Sequence, residues 1–307
     1  MARSPVQQDP IEYPYEEWLN MPSELSVQIH LTFLASVIFA VAFILGLRHT
    51  RRLVASPEGL SSPDAGSMGL GSRILVLSAT ALCLALLLWR VIAAGKPSLP
   101  MTNHLDAFLF LSLLLTGMLV YFRWTRHLGG LAFFLLPMIA VLLSLGATLA
   151  ILNGADYQYT NHWARLHILT VVAGSVCFAL GCVGGIVYLL AHRQLKHKGL
   201  DASHHWIGLP PLASIEKFNR IMIYLGFPLL TVAMITGALR LTQDPQTLHA
   251  PWFASPKVIT AILAWAVYAL LIHVPLAPAI RGQRAAWLSI LGFVLFLTAF
   301  VAVVWMK

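Results

Sequence analysis

Charged residues are scarce in this chain of 307 residues. Asp, Glu, Lys and Arg together make up 10% of it, whereas a soluble domain carries about a quarter. Hydrophobic residues make up 58%. This balance excludes a soluble domain and predicts an integral membrane protein, with most of its length in the lipid bilayer. The net charge of +8 therefore does not indicate a nucleic-acid partner, and none is expected.

Cysteine is also rare, and the usual metal motifs are missing. The three cysteines, Cys83, Cys177 and Cys182, all lie in apolar runs and form no CxxC pair. A disulfide framework or a thiol-redox motif is therefore not indicated, and the cysteines are expected in the core. The sequence contains no HExxH and no Cys/His pair at zinc spacing, so zinc is disfavoured. The polar, acidic first 25 residues do not resemble a cleavable signal peptide.

Long apolar runs dominate what is present. A helix needs about 20 apolar residues to cross the hydrocarbon. The sequence therefore predicts an all-α membrane protein, a polytopic bundle of eight transmembrane helices. The predicted spans are 26–47, 74–94, 105–122, 128–152, 166–191, 221–241, 257–278 and 285–306. Residues 1–25 are predicted to be an external N-terminal segment, and 26–95 to hold helices 1 and 2 with a cytoplasmic loop.

The distribution of basic residues predicts the orientation of the bundle. Thirteen of the twenty Lys and Arg residues fall in the loops after helices 1, 3, 5 and 7. Basic residues collect in cytoplasmic loops, so both termini are predicted to lie outside. The thirteen are Arg48, Arg51, Arg52, Arg73, Arg123, Arg126, Arg193, Lys196, Lys198, Lys217, Arg220, Arg281 and Arg284.

The histidines sort by predicted depth. Five lie near the outer face and one, His273, lies within predicted helix 7. Because an ionisable group in hydrocarbon is costly, His273 is expected to have a partner or a function. Imidazoles on separate helices can supply axial ligands to haem iron, although interfacial histidines also serve as hydrogen-bonding or snorkelling residues. The five outer histidines are His30, His104, His162, His167 and His249.

The residues of helices 6 to 8 carry a family pattern. "IEKFNRIMIYLGFPLLTVAMITGALR" and "LAWAVYALLIHVPLAPAIRGQRAAWLSILGF" resemble the CcsA/HemX-type cytochrome c assembly family of haem-handling membrane proteins. The first matches the family's GFPLLTxGxxxGA block, and the second its WxxYAxxLHxR helix and closing helix. Pro275 replaces the Arg of the second block. The matching residues are Gly226, Phe227, Pro228, Leu229, Leu230, Thr231, Gly237, Ala238, Trp265, Tyr268, His273, Gly282, Ala285, Ala286, Gly292 and Phe293.

Upstream blocks extend the resemblance. "PMTNHLDAFLFLSL" is similar to the family's P-x-x-N-x-x-E-S segment, with Asp106 in place of Glu. "NHWARLHILTV" is similar to its WLxxHV helix and keeps Trp163 and His167. The resemblance covers about residues 97–295 and predicts a cytochrome c assembly-like domain at 97–307.

The resemblance implies a set of haem-binding residues. His167 stands at the position of an external haem ligand, and His273 at that of a transmembrane haem ligand nearer the cytoplasm. The family's last external histidine lies beyond its final helix, whereas this sequence stops at "VVWMK". A substitute outer ligand would be His30, His104, His162 or His249, and His30 is the best placed of these by depth. The family's tryptophan-rich WGxxWxWDPKE segment is reduced to "HAPWFASPKV", which keeps Trp252 and Lys257.

These features predict a haem-binding subunit for the maturation of c-type cytochromes in a bacterial-type inner (plasma) membrane. It would deliver or hold haem, as haem b in transit, without catalysing ligation alone. Its expected partners are other cytochrome c assembly membrane proteins and apocytochrome c. A HemX-like membrane regulator of tetrapyrrole synthesis is the alternative. A transporter is a weaker hypothesis, based on Gly181, Gly184 and Gly185.

Overall fold

The computed structural model describes residues 23–55, 69–93, 104–124, 129–153, 162–196, 209–242, 254–273 and 282–302. Each of these ranges is essentially one helix, so the predicted all-α class is confirmed. The helices are α1 (Ser23–Ala55), α2 (Leu70–Ala93), α3 (His104–Trp124), α4 (Gly129–Asn153), α5 (His162–Lys196), α6 (Leu212–Thr242), α7 (Pro256–Ile272) and α8 (Gln283–Val301).

Seven of these helices are long and apolar enough to cross a membrane. The exception within the described ranges is α7, which is apolar but only 17 residues long. About 20 residues are needed to span the hydrocarbon, so α7 falls short of a full crossing as a helix. Within the described ranges all eight predicted helices are present, and seven of them are long and apolar enough for a full span.

The end of α7 differs from the prediction. The hydropathy pattern places His273 inside a helix that continues to residue 278, but the helix ends at Ile272 and His273 is its C-cap. A proline disfavours helical geometry in the residue before it, and Pro275 follows two positions after the cap. The hydropathy pattern does not include this backbone constraint, so it extends the predicted helix beyond its end at Ile272.

The helices pack as two neighbouring groups. In the first, α4 packs against α1 and α3, and α1 also packs against α2. In the second, α5 packs against α6 and α8, and α7 packs against α8 and α6. Contacts of α5 with α4 and α3 join the groups, and Phe122 of α3 meets Phe218 of α6 edge to face, with ring centroids 5.4 Å apart. One hydrophobic core therefore runs through both groups.

A buried polar cluster ties together the first three helices. Arg90 of α2 forms an ion pair with Asp106 of α3, whose side chain is 1% exposed. The same guanidinium donates a hydrogen bond to the side-chain oxygen of Gln28 on α1. Because an unpaired charge in a low-dielectric interior is costly, this pairing fixes the relative positions of the three helices.

Three of the four glycines of α5, Gly181, Gly184 and Gly185, allow neighbouring helices to approach closely. A Cβ at Gly181 would lie 3.1 Å from Oδ1 of Asn219 on α6, and one at Gly185 would lie 2.8 Å from the backbone oxygen of Ala286 on α8. Asn219 in turn donates to Ser289 of α8 across 3.0 Å. Small residues at such crossings are typical of membrane helix packing. The glycines are therefore accounted for by packing, without a hinge.

A Gly185→Ala variant is expected to be destabilised by about 1–3 kcal/mol, the usual cost of overpacking. The new methyl group would meet the backbone of α8, which cannot move aside as a side chain can. Gly117→Ala on α3 is the matched control, because nothing lies within 4 Å of a Cβ there and alanine favours the helix. Thermal unfolding in detergent should show a lower Tm for Gly185→Ala only. Equal Tm values would contradict this packing.

Candidate functional site

His167 lies in the second turn of α5 and contacts α6. Its Nδ1 is 2.7 Å from the backbone oxygen of Ala233. One turn further along α6, Gly237 lies directly against the ring: a Cβ there would be 3.0 Å from Cε1 and 3.1 Å from Nδ1 of His167. The glycine therefore provides the space that the imidazole occupies.

This contact determines which ring nitrogen is available. A carbonyl oxygen can only accept, so Nδ1 of His167 carries the proton and donates it to Ala233. Nε2 then holds the lone pair of the neutral imidazole, the form that binds a metal. In metal sites, a hydrogen bond from the ring nitrogen that does not bind the metal usually orients the histidine ligand. His167 thus has the tautomer and the support of a metal-binding histidine.

The family-like blocks of α6 and α7 contact each other close to the residues of α6 that hold His167. Trp265 of α7 donates from Nε1 to Oγ1 of Thr231 on α6 across 3.1 Å, and its ring lies 5.6 Å from that of Phe227. One turn on, Tyr268 stacks on Phe178 of α5 with centroids 3.8 Å apart. The aromatic residues of these blocks therefore form the junction between α5, α6 and α7.

Positive charge gathers near His167. Lys257, the second residue of α7, and Arg240, near the end of α6, both interact electrostatically with His167. Lys257 also interacts with His104, the first residue of α3. The starts of α3, α5 and α7 and the end of α6 therefore share one end of the bundle, called the His167 end below.

The sequence did not distinguish His104 from the other outer histidines. It is half-buried and within electrostatic range of the same Lys257 that interacts with His167. Its position at the start of a helix next to an assembly-like motif was the available signal. Sequence spacing alone could not show that His104 comes within electrostatic range of Lys257.

His30 lies on a helix whose main contacts are with other helices than those around His167. It lies on α1, which packs mainly against α2 and α4. Its side chain is exposed, and its Nδ1 is 2.6 Å from the backbone oxygen of Ser26 in its own helix. Its role as the second outer ligand remains a prediction, and His104 has the better-supported position.

His273 lies at the other end of α7. It follows Lys257 by sixteen residues, a separation of about 24 Å along a helix. Its side chain is exposed, and Nδ1 is 2.7 Å from the backbone oxygen of Ala269. The prediction that His273 lies inside the helix is wrong, because His273 is the C-cap of α7. The structure separates His167 and His273, as ligands of two different sites would be.

The remaining predicted residues contribute less. Trp163 is exposed near the start of α5, as is His162, the first residue of that helix. Trp252 and His249 lie outside the described residues. Among the described ranges, no group of three or more His, Cys, Asp or Glu side chains could hold a bare metal ion.

The fold and site define a polytopic helical protein in which motif residues of α5, α6 and α7 position one histidine at the His167 end. The model of the cytochrome C assembly protein family matches residues 77–307. The chain belongs to this family and is an integral, multi-pass membrane protein. This membership confirms the resemblance and supports a role in cytochrome c biogenesis.

Individual relatives agree with the family match. The chain is 24% identical over 295 residues to the cytochrome c biogenesis protein CcsA of Guillardia theta, covering 89% of this chain and 91% of that protein. It is 23% identical over 255 residues to CcsA of Synechococcus sp., covering 75% and 80%. CcsA of Thermosynechococcus vestitus is 35% identical over 80 residues, 26% and 24% of the two chains. No solved structure matches. The HemX-like alternative gains no support from these comparisons.

Proposed function

We propose that the protein binds haem at the His167 end and holds or delivers it during the maturation of c-type cytochromes. The observation that supports this most directly is the fixed imidazole of His167, whose Nδ1 donates to Ala233 and whose ring packs on Gly237. This arrangement leaves Nε2 as a neutral ligand. Haem would supply the iron that this nitrogen ligates, and haem is the group that c-type cytochromes carry.

The other histidines take secondary places in the proposal. His104 is the favoured second ligand, because Lys257 is within electrostatic range of both it and His167. His273, at the opposite end of α7, would belong to a separate haem position. By the positive-inside bias, the His167 end faces outward from a bacterial-type inner membrane, where apocytochrome c and other assembly proteins would meet it. The haem would be haem b in transit.

The start of α7 supports a role in holding haem without ligation by this chain alone. Ser255, at the family's Asp position, is the N-cap of α7 and accepts from the backbone N of Val258 across 3.4 Å. Pro256 occupies the first turn, where its missing N–H is not needed. Residues 254–258 therefore serve to begin the helix and place Lys257, and they lack the aromatic and acidic side chains of the full family segment.

Removal of the imidazole tests the proposal. The purified wild-type protein in detergent is expected to show a Soret band, and His167→Ala is expected to lose most of it, because no carbonyl-oriented imidazole would remain at that position. His162→Ala is the matched control, since His162 is an exposed histidine on the same helix. Haem content by absorption and by haem stain is the measurement. An unchanged band in His167→Ala would refute this assignment.

A further inference from the structure

Two side chains donate hydrogen bonds to one backbone carbonyl of α6. Nδ1 of His167 lies 2.7 Å from the oxygen of Ala233. Thr236, three positions further along α6, places its Oγ1 3.1 Å from the same oxygen and 2.8 Å from the oxygen of Val232. A hydroxyl has a single proton to donate. That proton is therefore shared between two acceptors, one of which is the carbonyl that orients the imidazole.

The oxygen of Ala233 is addressed by more donors than it has lone pairs. A carbonyl oxygen has two, and within an α-helix one of them accepts from the amide four residues further on. In α6 that amide belongs to Gly237. His167 takes the second lone pair, so the Thr236 hydroxyl is a third donor. Hydrogen bonds polarise one another, and donors that converge on one oxygen weaken each other because they draw on the same electron density.

Burial gives this competition its effect on the imidazole. Ala233 and Thr236 are each only 2% exposed, so bulk water does not offer either group another partner. A hydrogen bond in a low-dielectric interior is also electrostatically stronger than the same bond in water. The strength of the bond from His167 to Ala233 therefore depends on how much of the Thr236 proton is directed to that oxygen and how much to Val232.

We propose that Thr236 is a positioning residue that weakens the hydrogen bond from His167 to Ala233 and so limits the donor strength of Nε2. This inference rests on the proposed function, in which Nε2 ligates haem iron. A stronger hydrogen bond at Nδ1 makes a histidine a more basic ligand, and a more basic ligand stabilises ferric over ferrous iron. Hydrogen bonding behind an axial ligand is one of the ways in which a protein sets the reduction potential of haem. Thr236 would thus keep the potential higher than an unshared carbonyl would.

The first measurement needs no haem. Protein from which haem has been removed, with its histidines labelled with the heavy nitrogen isotope, is studied by NMR in detergent. The Nδ1 proton of His167, assigned by its loss in His167→Ala, moves downfield as its hydrogen bond strengthens. Thr236→Val removes the hydroxyl and keeps the branched shape, so a downfield shift is expected. Thr236→Ala should shift the resonance in the same direction, and Thr236→Ser, which keeps the hydroxyl, should leave it near the wild-type position.

Thr170→Val is the matched control. Thr170 is also buried, at 7% exposed, and its hydroxyl is likewise shared between two backbone oxygens, those of Leu166 and His167, each 2.9 Å away. It does not contact the oxygen of Ala233 in the hydrogen bonds of the described residues. The variant should therefore leave the Nδ1 proton of His167 unmoved, even if it lowers Tm as much as Thr236→Val does.

The second measurement is a redox titration of the haem-loaded protein. At a fixed potential, Thr236→Val is expected to hold about three- to tenfold more ferric relative to ferrous haem than the wild type, the range that the change of one hydrogen bond supports. Thr236→Ser and Thr170→Val should titrate like the wild type. An upfield or absent shift of the Nδ1 proton, or an unchanged or higher potential in Thr236→Val, would overturn the role of Thr236. If His167→Ala binds haem as the wild type does, the proposed function fails, whereas the NMR result still decides whether Thr236 controls the hydrogen bond.

Discussion

Replacing Asp106 by Asn is expected to lower the free energy of unfolding by about 3–5 kcal/mol, the cost of leaving one member of a buried ion pair alone. Arg90 is only 12% exposed, so water cannot replace the lost carboxylate. Asn keeps the shape of Asp and removes only the charge. The pair joins α2 to α3, and Gln28 of α1 accepts from the same guanidinium. The substitution should therefore destabilise the packing of all three helices. A drop in Tm in detergent is the measurement.

A second substitution makes this prediction specific to the charge. Arg90→Met with Asp106→Leu replaces both ions by apolar groups, which is often neutral or stabilising for buried pairs. The double variant should therefore recover much of the stability that Asp106→Asn loses. Ser78→Ala, at an exposed position on α2, should leave Tm unchanged. A double variant less stable than the single one would show that the pair contributes more than mutual neutralisation.

Placing a methyl group at position 237 is expected to weaken haem binding by about tenfold to a hundredfold. The Cβ of Gly237→Ala would lie 3.0 Å from Cε1 of His167, so the ring must move and its hydrogen bond to Ala233 must lengthen or break. Overpacking costs about 1–3 kcal/mol, and 1.4 kcal/mol corresponds to tenfold in affinity. The measurement is haemin titration followed by the Soret band.

Stability serves as the internal check on this variant. The ring of His167 is a side chain at the margin of the core, so Tm should change much less than haem affinity. Gly117→Ala, where a methyl group meets nothing within 4 Å, is the control for helix propensity and should bind haemin normally. If Gly237→Ala binds haemin like the wild type, the contact between α6 and the imidazole has no part in ligation.

The helices could be predicted because bilayer thickness imposes a length on apolar runs. The motif blocks also indicated which residues belong together, and the contact of Trp265 with Thr231 shows why: they form the junction of α6 and α7. The error concerned α7, where the apolar pattern continues beyond the helix. Hydropathy measures how apolar a segment is, whereas the helix end at His273 depends on local backbone geometry.

The details of the site were harder to predict because they depend on contacts between distant parts of the chain. The hydrogen bond from His167 joins residues 66 positions apart, and its acceptor is a backbone oxygen of an alanine, which no side chain in the sequence identifies. The same holds for His104 and Lys257, which only the packing of their helices brings within range. Sequence spacing could rank the outer histidines by depth but not by neighbour.

The single carbonyl that orients the imidazole has a mechanical consequence. Ala233 belongs to α6, whereas His167 belongs to α5, so the direction of the Nε2 lone pair is set by the angle between two helices. A small rotation of α6 about its axis would turn the imidazole ring and change the direction of the Nε2 lone pair. If His167 ligates haem iron as proposed, a change in how α6 packs on α5 would alter that ligation without any contact to the imidazole itself.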